Sequence, residues 1–263
     1  MNPFLNTAVK AARLAGRVIT INAEKLDRLT IQAKGHADFV SEVDHQAEQE
    51  IMYAIRESYP DHAIYAEESG RTAGNDFEWI IDPLDGTTNF LHGIPQYAVS
   101  IALRENGVLK VAVVYDPIKD ELFTAVKGEG ALLNDRRIRV SKTENMAYSL
   151  LATGFPYKDM NNLDLWTDCF RAVLPETSGV RRAGSAALDL AWVAAGRYDG
   201  FWEFGLNAWD IAAGVLLIQA AGGMVSEVDG GRDYRISGEI MAGHSAIYRK
   251  MLRKFSPIVQ KYK

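Results

Sequence analysis

The sequence predicts an α+β fold of stacked helix and sheet layers, on three observations. Helical periodicity runs through the first sixty residues, a meander of strands fills the middle, and strands alternate with helices in the last part. Phe4, Ala8, Ala11, Ala12, Ala15, Val18 and Ile19 recur at helical spacing. A second helix begins at Ser41, where Ser41-x-x-Asp44 has the form of a capping box. Its apolar face is Val43, Ala47, Ile51, Ala54 and Ile55, and it ends before Pro60. Glu78 to Asp82 is a short apolar strand. Tyr97 to Arg104 and Val108 to Tyr115 pair through Asn106-Gly107, a strong two-residue hairpin signal, and Glu121 to Val126 continues the meander. Beyond it, Ser149 to Thr153, Gly200 to Glu203, Met224 to Val228 and Ile240 to Ala242 read as strands. Leu163 to Val173, Ser185 to Ala195, Ile211 to Ala221 and Ser245 to Lys261 read as helices. No linker, charge block or repeat divides the chain. A single domain over 1–263 is expected, with an α+β half over roughly 1–145 and an α/β half over roughly 146–263.

Composition narrows the function. The 263 residues are 48% hydrophobic and 24% charged, which excludes a collagen-like or wholly disordered chain. A net charge of -5 argues against direct nonspecific nucleic-acid binding, which needs clustered Lys and Arg. The single cysteine, Cys169, excludes an intramolecular disulfide and any multi-cysteine zinc or iron–sulfur site. Lys10, Arg13 and Arg17 interrupt the N-terminal apolar stretch, unlike a signal peptide. The longest apolar uncharged run, Ile211 to Ser226, is short for a membrane span and carries Gly222-Gly223, a helix stop. A cytoplasmic protein with no membrane partner is expected.

The informative chemistry is acidic. In Trp79-Ile-Ile-Asp-Pro-Leu-Asp-Gly-Thr-Thr-Asn89 an apolar strand ends in Asp82-Pro83-Leu84-Asp85. Pro83 biases Asp82 away from helix, and Gly86 lets the backbone approach a ligand closely. A helix starting there would aim the amides of Gly86, Thr87 and Thr88 at an anion. Carboxylates beside a phosphate-shaped nest repel phosphate unless divalent cations bind both, and all-oxygen ligands select Mg²⁺ or Mn²⁺ over zinc. A lone Asp-Gly is an ordinary turn, but this eleven-residue string exceeds what a turn needs. Two other acidic sites can complete a cluster. Ala66-Glu67-Glu68-Ser69-Gly70 follows apolar Ala63-Ile64-Tyr65, and Ala208-Trp209-Asp210-Ile-Ala-Ala-Gly214 opens an apolar helix. An N-cap role accounts for Asp210 as well as metal ligation does, and capping equally accounts for Asp44. The five histidines show no ligand spacing and read as surface or loop residues. Cys169 reads as packed, and Trp79, Trp192, Trp202 and Trp209 as core anchors.

Glu67-Glu68-Ser69, the Trp79–Asn89 string and Trp209-Asp210-Ile-Ala-Ala-Gly214 together resemble the signature of the inositol monophosphatases, within the lithium-sensitive, Mg²⁺-dependent phosphatase superfamily. Asp116-Pro117, Ala152-Thr-Gly-Phe-Pro156 and Arg181-Arg-Ala-Gly-Ser-Ala-Ala-Leu-Asp-Leu190 place the resemblance closest to the bacterial SuhB-type inositol-1-monophosphatases. It spans essentially the whole chain.

The resemblance implies a layered αβαβα sandwich of the inositol monophosphatase and fructose-1,6-bisphosphatase type, often a homodimer. It implies one metal held by Glu67, Asp82 and the Leu84 carbonyl, a second by Asp82, Asp85 and Asp210, and a weaker third Mg²⁺ near Glu67. Mn²⁺ would substitute and Li⁺ inhibit. Thr87 with Asp44 would position the attacking water, aided by Glu67. Gly86, Thr87 and Thr88 would cradle the phosphate. Glu203, the backbone near Ala186, and Arg181 would contact inositol, together with Asp85 and Asp210, and Lys34 would lie near the site. The loop Gly70 to Phe77 varies in length among relatives. The implied activity is hydrolysis of a phosphate monoester by metal-activated water, with myo-inositol 1-phosphate as substrate and no phosphoenzyme. Fructose 1,6-bisphosphate and 3′-phosphoadenosine 5′-phosphate are rival substrates within the superfamily. SuhB-type relatives imply a second role, binding the elongation factor NusA in an RNA polymerase complex during ribosomal RNA transcription antitermination.

Overall fold

In the computed structural model of the protein, helix and sheet layers alternate five deep. It describes residues 2–26, 31–35, 38–157 and 160–262, and of 31–35 and 38–40 the backbone alone. The outer layer is α1 (Pro3–Ala23) and α2 (Glu42–Ser58). Asn2 caps α1, accepting from the Phe4 and Leu5 amides at 3.0 and 3.2 Å, and Pro3 fits the first turn, where no amide donor is needed. In the chain, β1 (Ile31–Gly35) and β2 (Asp38–Ser41), an antiparallel pair, come between these helices.

The second layer is an eight-stranded sheet. Its strands are β3 (Ala63–Ala66), β4 (Gly70–Thr72), β5 (Phe77–Asp85), β6 (Ala98–Glu105), β7 (Val108–Asp116), β8 (Glu121–Val126), β9 (Gly130–Leu133) and β10 (Arg136–Ile138). Their order is β10-β9-β8-β7-β6-β5-β3-β4, with β3 and β5 parallel and the other neighbours antiparallel. The β6–β7 turn is the expected pair, Asn106 and Gly107, both with positive φ. A short helix α3 (Thr87–Leu91) follows β5.

The fourth layer is a five-stranded sheet of β11 (Leu150–Thr153), β12 (Gly179–Arg181), β13 (Gly200–Glu203), β14 (Met224–Ser226) and β15 (Ile240–Gly243), in the order β12-β11-β13-β15-β14. Between the two sheets lie α5 (Ala186–Ala194) and α6 (Ala208–Ala220). Outside the second sheet lie α4 (Leu163–Val173) and α8 (Ser245–Val259), and α7 (Tyr234–Ser237) is a single turn.

Side-chain alternation explains the stacking. Trp79, Ile81, Val99, Ile101, Val111 and Val113 join the core under α1 and α2, while Ile80, Ala102, Ala112 and Val114 face α5 and α6. Phe201, Ile240 and Ala242 face α5 and α6 from the other side, and Trp202 and Met241 face α4 and α8. With sheet on both sides, α5 and α6 are apolar all round. That burial explains the long apolar run of α6. Among the described residues no helix is long and apolar enough to cross a membrane. The observed layers are the predicted αβαβα sandwich.

The strands that periodicity does not reveal are short or at sheet edges. β4, β10 and β12 have three residues each, too few to show alternation. The segment Gly70 to Phe77 thus contributes an edge strand. Asp116 is wholly buried and structural, accepting from the Ile118 and Lys119 amides at 3.0 Å in the β7–β8 turn.

Candidate metal centre and active site

β5 carries two of the candidate ligands and is longer than the expected strand because it continues through Pro83. Residues three apart on a regular strand point to opposite faces. Here Asp82 lies opposite Ser100 and Asp85 opposite Ala98, so three steps of β5 match two of β6. This one-residue bulge brings both acids to the face that meets α5 and α6. Pro83 has no amide to contribute to a ladder, so the interruption forfeits no bond from it. The Leu84 amide donates to Asp82 Oδ1 at 3.0 Å inside the bulge. Gly86 then turns the chain at φ 99°, and a Cβ there would lie 2.9 Å from the Gln96 carbonyl.

Other elements deliver the remaining acids. The Glu67 amide donates to the Ile81 carbonyl at 3.1 Å, fixing the end of β3 beside β5. Glu48 on α2 clamps the same loop, its carboxylate accepting from the Glu68 and Ser69 amides at 2.8 and 2.9 Å. Asp85 Oδ2 accepts from Ser185 Oγ at 2.6 Å and the Ala187 amide at 2.7 Å, at the start of α5. Asp210 sits in the first turn of α6, where its Oδ2 accepts from the Asn207 amide at 2.6 Å. The N-cap is therefore Asn207 and not Asp210, because the helix starts at Ala208, ahead of the apolar run.

Asp82, Asp85 and Asp210 each offer an oxygen lying within 4.8 Å of the other two. Burial pushes the Asp82 carboxyl well above the usual carboxylate range, and the charges of Glu67, Asp85 and Asp210 push it further. Such a cluster favours a proton or a cation, and an all-oxygen donor set suits a hard divalent cation.

Beside it, Thr87 Oγ1 lies 3.0 Å from both Asp44 Oδ1 and the Leu84 carbonyl oxygen. Asp44 Oδ2 accepts from the Ser41 amide at 2.8 Å and from Ser41 Oγ at 2.6 Å, completing the predicted capping box. Burial raises the Asp44 pKa, while the Ser41 and Thr87 bonds oppose the rise.

One cavity of about 420 Å³ gathers Glu67, Asp82, Leu84, Asp85, Gly86, Thr87, Thr88, Ala186, Glu203 and Asp210. Asp44 stands behind it and touches Thr87. Arg181 is an exception: it is exposed at the edge of the sheet, donating to the Val180 carbonyl at 3.3 Å, and the cavity is lined by Arg182 instead. The guanidinium of Arg182 lies 5.2 and 5.3 Å from the ring centres of Phe155 and Tyr157. Lys34 falls on β1, where the side chain lies outside the described residues.

Sequence reasoning missed three contributors. Glu48 had a signal, an acid one turn after Asp44 on the apolar face of α2. Ser185 is the N-cap of α5, and Asp189 lies in its first turn, 1% exposed and lining the cavity. Burial raises the Asp189 pKa well above the usual range, with Glu203 the next cause. His62, expected as a surface or loop residue, lies in the loop before β3 and is half-buried. It stacks between Tyr59 and Phe77, and its Nδ1 accepts from Trp79 Nε1 at 3.0 Å. Cys169 is fully buried, its thiol pushed up to about 12 by desolvation.

Residues 1–260 match the profile of the inositol monophosphatase family. The chain belongs to that family. Among curated relatives, it is 50% identical over 263 residues to the Nus factor SuhB of Pseudomonas aeruginosa, covering 98% of this chain and 97% of that one. A crystal structure of the extragenic suppressor protein suhB from Bartonella henselae superposes with a TM-score of 0.94 at 44% identity, over 97% of this chain and 98% of that one. An inositol monophosphatase from Anabaena superposes with a TM-score of 0.85 at 41% identity, over 97% and 95%. This member of the family thus presents Glu67, Asp82, Asp85 and Asp210 in one cavity.

Proposed function

We propose that the protein is a Mg²⁺-dependent phosphate monoester hydrolase, with myo-inositol 1-phosphate as preferred substrate. The observation that carries this reading is the bulge in β5, which turns Asp82 and Asp85 together toward Asp210 in the cavity. Glu67, Asp82, Asp85, Asp210 and the Leu84 carbonyl are the proposed ligands. When bound, Mg²⁺ supplies Lewis-acid charge for the phosphate and the attacking water.

The chain's own groups do the rest. Thr87 has one hydroxyl proton for two acceptors, Asp44 Oδ1 and the Leu84 oxygen, so a lone pair of Oγ1 stays available to accept a hydrogen bond from the attacking water, and a proton taken from that water is balanced by the Oγ1 proton passing to Asp44 Oδ1. Glu67 lines the same cavity and orients that water. The opening amides of α3 have no carbonyl four residues earlier in the helix, and Gly86, Thr87 and Thr88 line the cavity where a phosphate would sit. Glu203 and the backbone at Ala186 face the alcohol portion, with Arg182 in the place expected for Arg181. A carboxylate accepts hydrogen bonds from ring hydroxyls, which favours a polyol over a bisphosphate.

Phosphate release should be measured from myo-inositol 1-phosphate, fructose 1,6-bisphosphate and 3′-phosphoadenosine 5′-phosphate, with and without Mg²⁺ and Li⁺. Preference for the first, dependence on Mg²⁺ and inhibition by Li⁺ are expected. Turnover indifferent to both ions would overturn the reading.

A second reading is favoured by the relatives themselves, which carry the name Nus factor at about half identity. In it the chain, as a cytoplasmic homodimer, also binds NusA within RNA polymerase complexes. An Asp85→Asn variant that still co-purifies with those complexes would separate this role from catalysis.

A further inference from the structure

Gly154 is a place in the cavity wall where a side chain is excluded by a neighbouring functional group. β11 and β13 run parallel with Thr153 opposite Trp202, so Gly154 lies beside Glu203 at the next step. A methyl group on Gly154 would overlap Glu203 Oε1, Cδ and Oε2, and both residues line the cavity. The strand end cannot easily yield. Thr153 is 1% exposed, Trp166 Nε1 donates to its Oγ1 at 3.0 Å, and that hydroxyl reaches the Gly154 carbonyl at 3.2 Å. The movable partner is the Glu203 side chain. Asp189 adds to the same wall a buried Oδ1 with no hydrogen-bond partner among the described residues. That end of the cavity therefore offers carboxyl oxygens as acceptors, which suit a group rich in hydroxyl donors.

We infer that Gly154 is a specificity-determining positioning residue: its bare α-carbon seats the Glu203 carboxylate in the cavity, and this seating makes the site select esters of polyhydroxylated alcohols. The inference rests on the proposed contact between Glu203 and the substrate.

The test compares kcat/KM for myo-inositol 1-phosphate with that for phenyl phosphate, whose leaving group has no ring hydroxyls. The variants are Gly154→Ala, Glu203→Gln and the double variant Gly154→Ala/Glu203→Gln. The ratio should fall about tenfold or more in each single variant, the scale of a lost bond to a charged group. It should fall no further in the double variant, because both changes remove one contact. A crystal structure of Gly154→Ala should show Glu203 displaced and the main chain unmoved. An unchanged ratio in Gly154→Ala beside a fallen one in Glu203→Gln overturns this inference alone, as do additive losses in the double variant. An unchanged ratio in Glu203→Gln overturns the Glu203 contact and this inference with it. Should Gly154→Ala fail to fold, Gly154→Ala/Glu203→Ala lacks the overlapping atoms and must regain a cooperative melt; no recovery overturns the inference.

Discussion

Ser41-Glu42-Val43-Asp44 and Asn207-Ala208-Trp209-Asp210 start α2 and α6 in the same way. In each, the acid returns a carboxylate oxygen to the N-cap amide, at 2.8 Å in the first and 2.6 Å in the second. Their surroundings differ. Asp44 is 1% exposed, and its other oxygen meets the neutral hydroxyl of Thr87. Asp210 is half-buried and lies among the oxygens of Asp82 and Asp85. Capping decides where an acid stands, and what the fold sets opposite decides its chemistry. The hydroxyl opposite it suits Asp44 to the proposed positioning role, while two neighbouring carboxylates suit Asp210 to the proposed cation cluster.

Breaking the carboxylate side should have the largest effect. Asp85→Asn and Asp210→Asn should each lower kcat about 10³-fold, the scale of a lost charge-stabilising group in a preorganised site. Both should keep the wild-type circular dichroism spectrum. Asp44→Ala should lower kcat less, by about 10²-fold, as a lost proton-handling partner does. It should also cost about 1–2 kcal/mol in urea denaturation, since the cap and the Thr87 acceptor go together.

The pH dependence sharpens the contrast. Asp82 has its pKa raised above 3.8, so the folded chain holds that proton more tightly than the unfolded one. Its contribution to stability is whole below the unfolded pKa and is lost as pH rises through the folded value. In chelator, the wild-type Tm should fall relative to Asp82→Asn as pH rises above the ordinary carboxylate range, and Mn²⁺ should restore the wild type alone. A flat difference would mean that the clustered charge is already compensated. The smallest change is Ser41→Ala, about 1 kcal/mol in the same denaturation assay, with cation binding intact.

Much of this was legible in the sequence because the relevant signals are local. The apolar faces of α1 and α2 and the Asn106-Gly107 turn occupy the places their spacing implies. The parity of β5 was hidden, since only pairing with β6 shows that Pro83-Leu84 adds one residue and turns Asp85 to the same face as Asp82. Choosing between Arg181 and Arg182 required the same knowledge of facing. Asp189 falls in the first turn of α5, and nothing in its local sequence shows that this turn faces the cavity. Glu48 could have been found, because a charged group on an otherwise apolar helix face calls for a partner.

We propose that Asp82, Asp85 and Asp210 share a cation while Asp44 serves Thr87. Calorimetric titration of Mn²⁺ into the wild type, Asp82→Asn, Asp85→Asn, Asp210→Asn and Asp44→Asn tests it most directly. The first three variants should bind at least about tenfold more weakly than the wild type, with Asp44→Asn close to it. Equal affinity in all five proteins, or a loss confined to Asp44→Asn, would contradict the account.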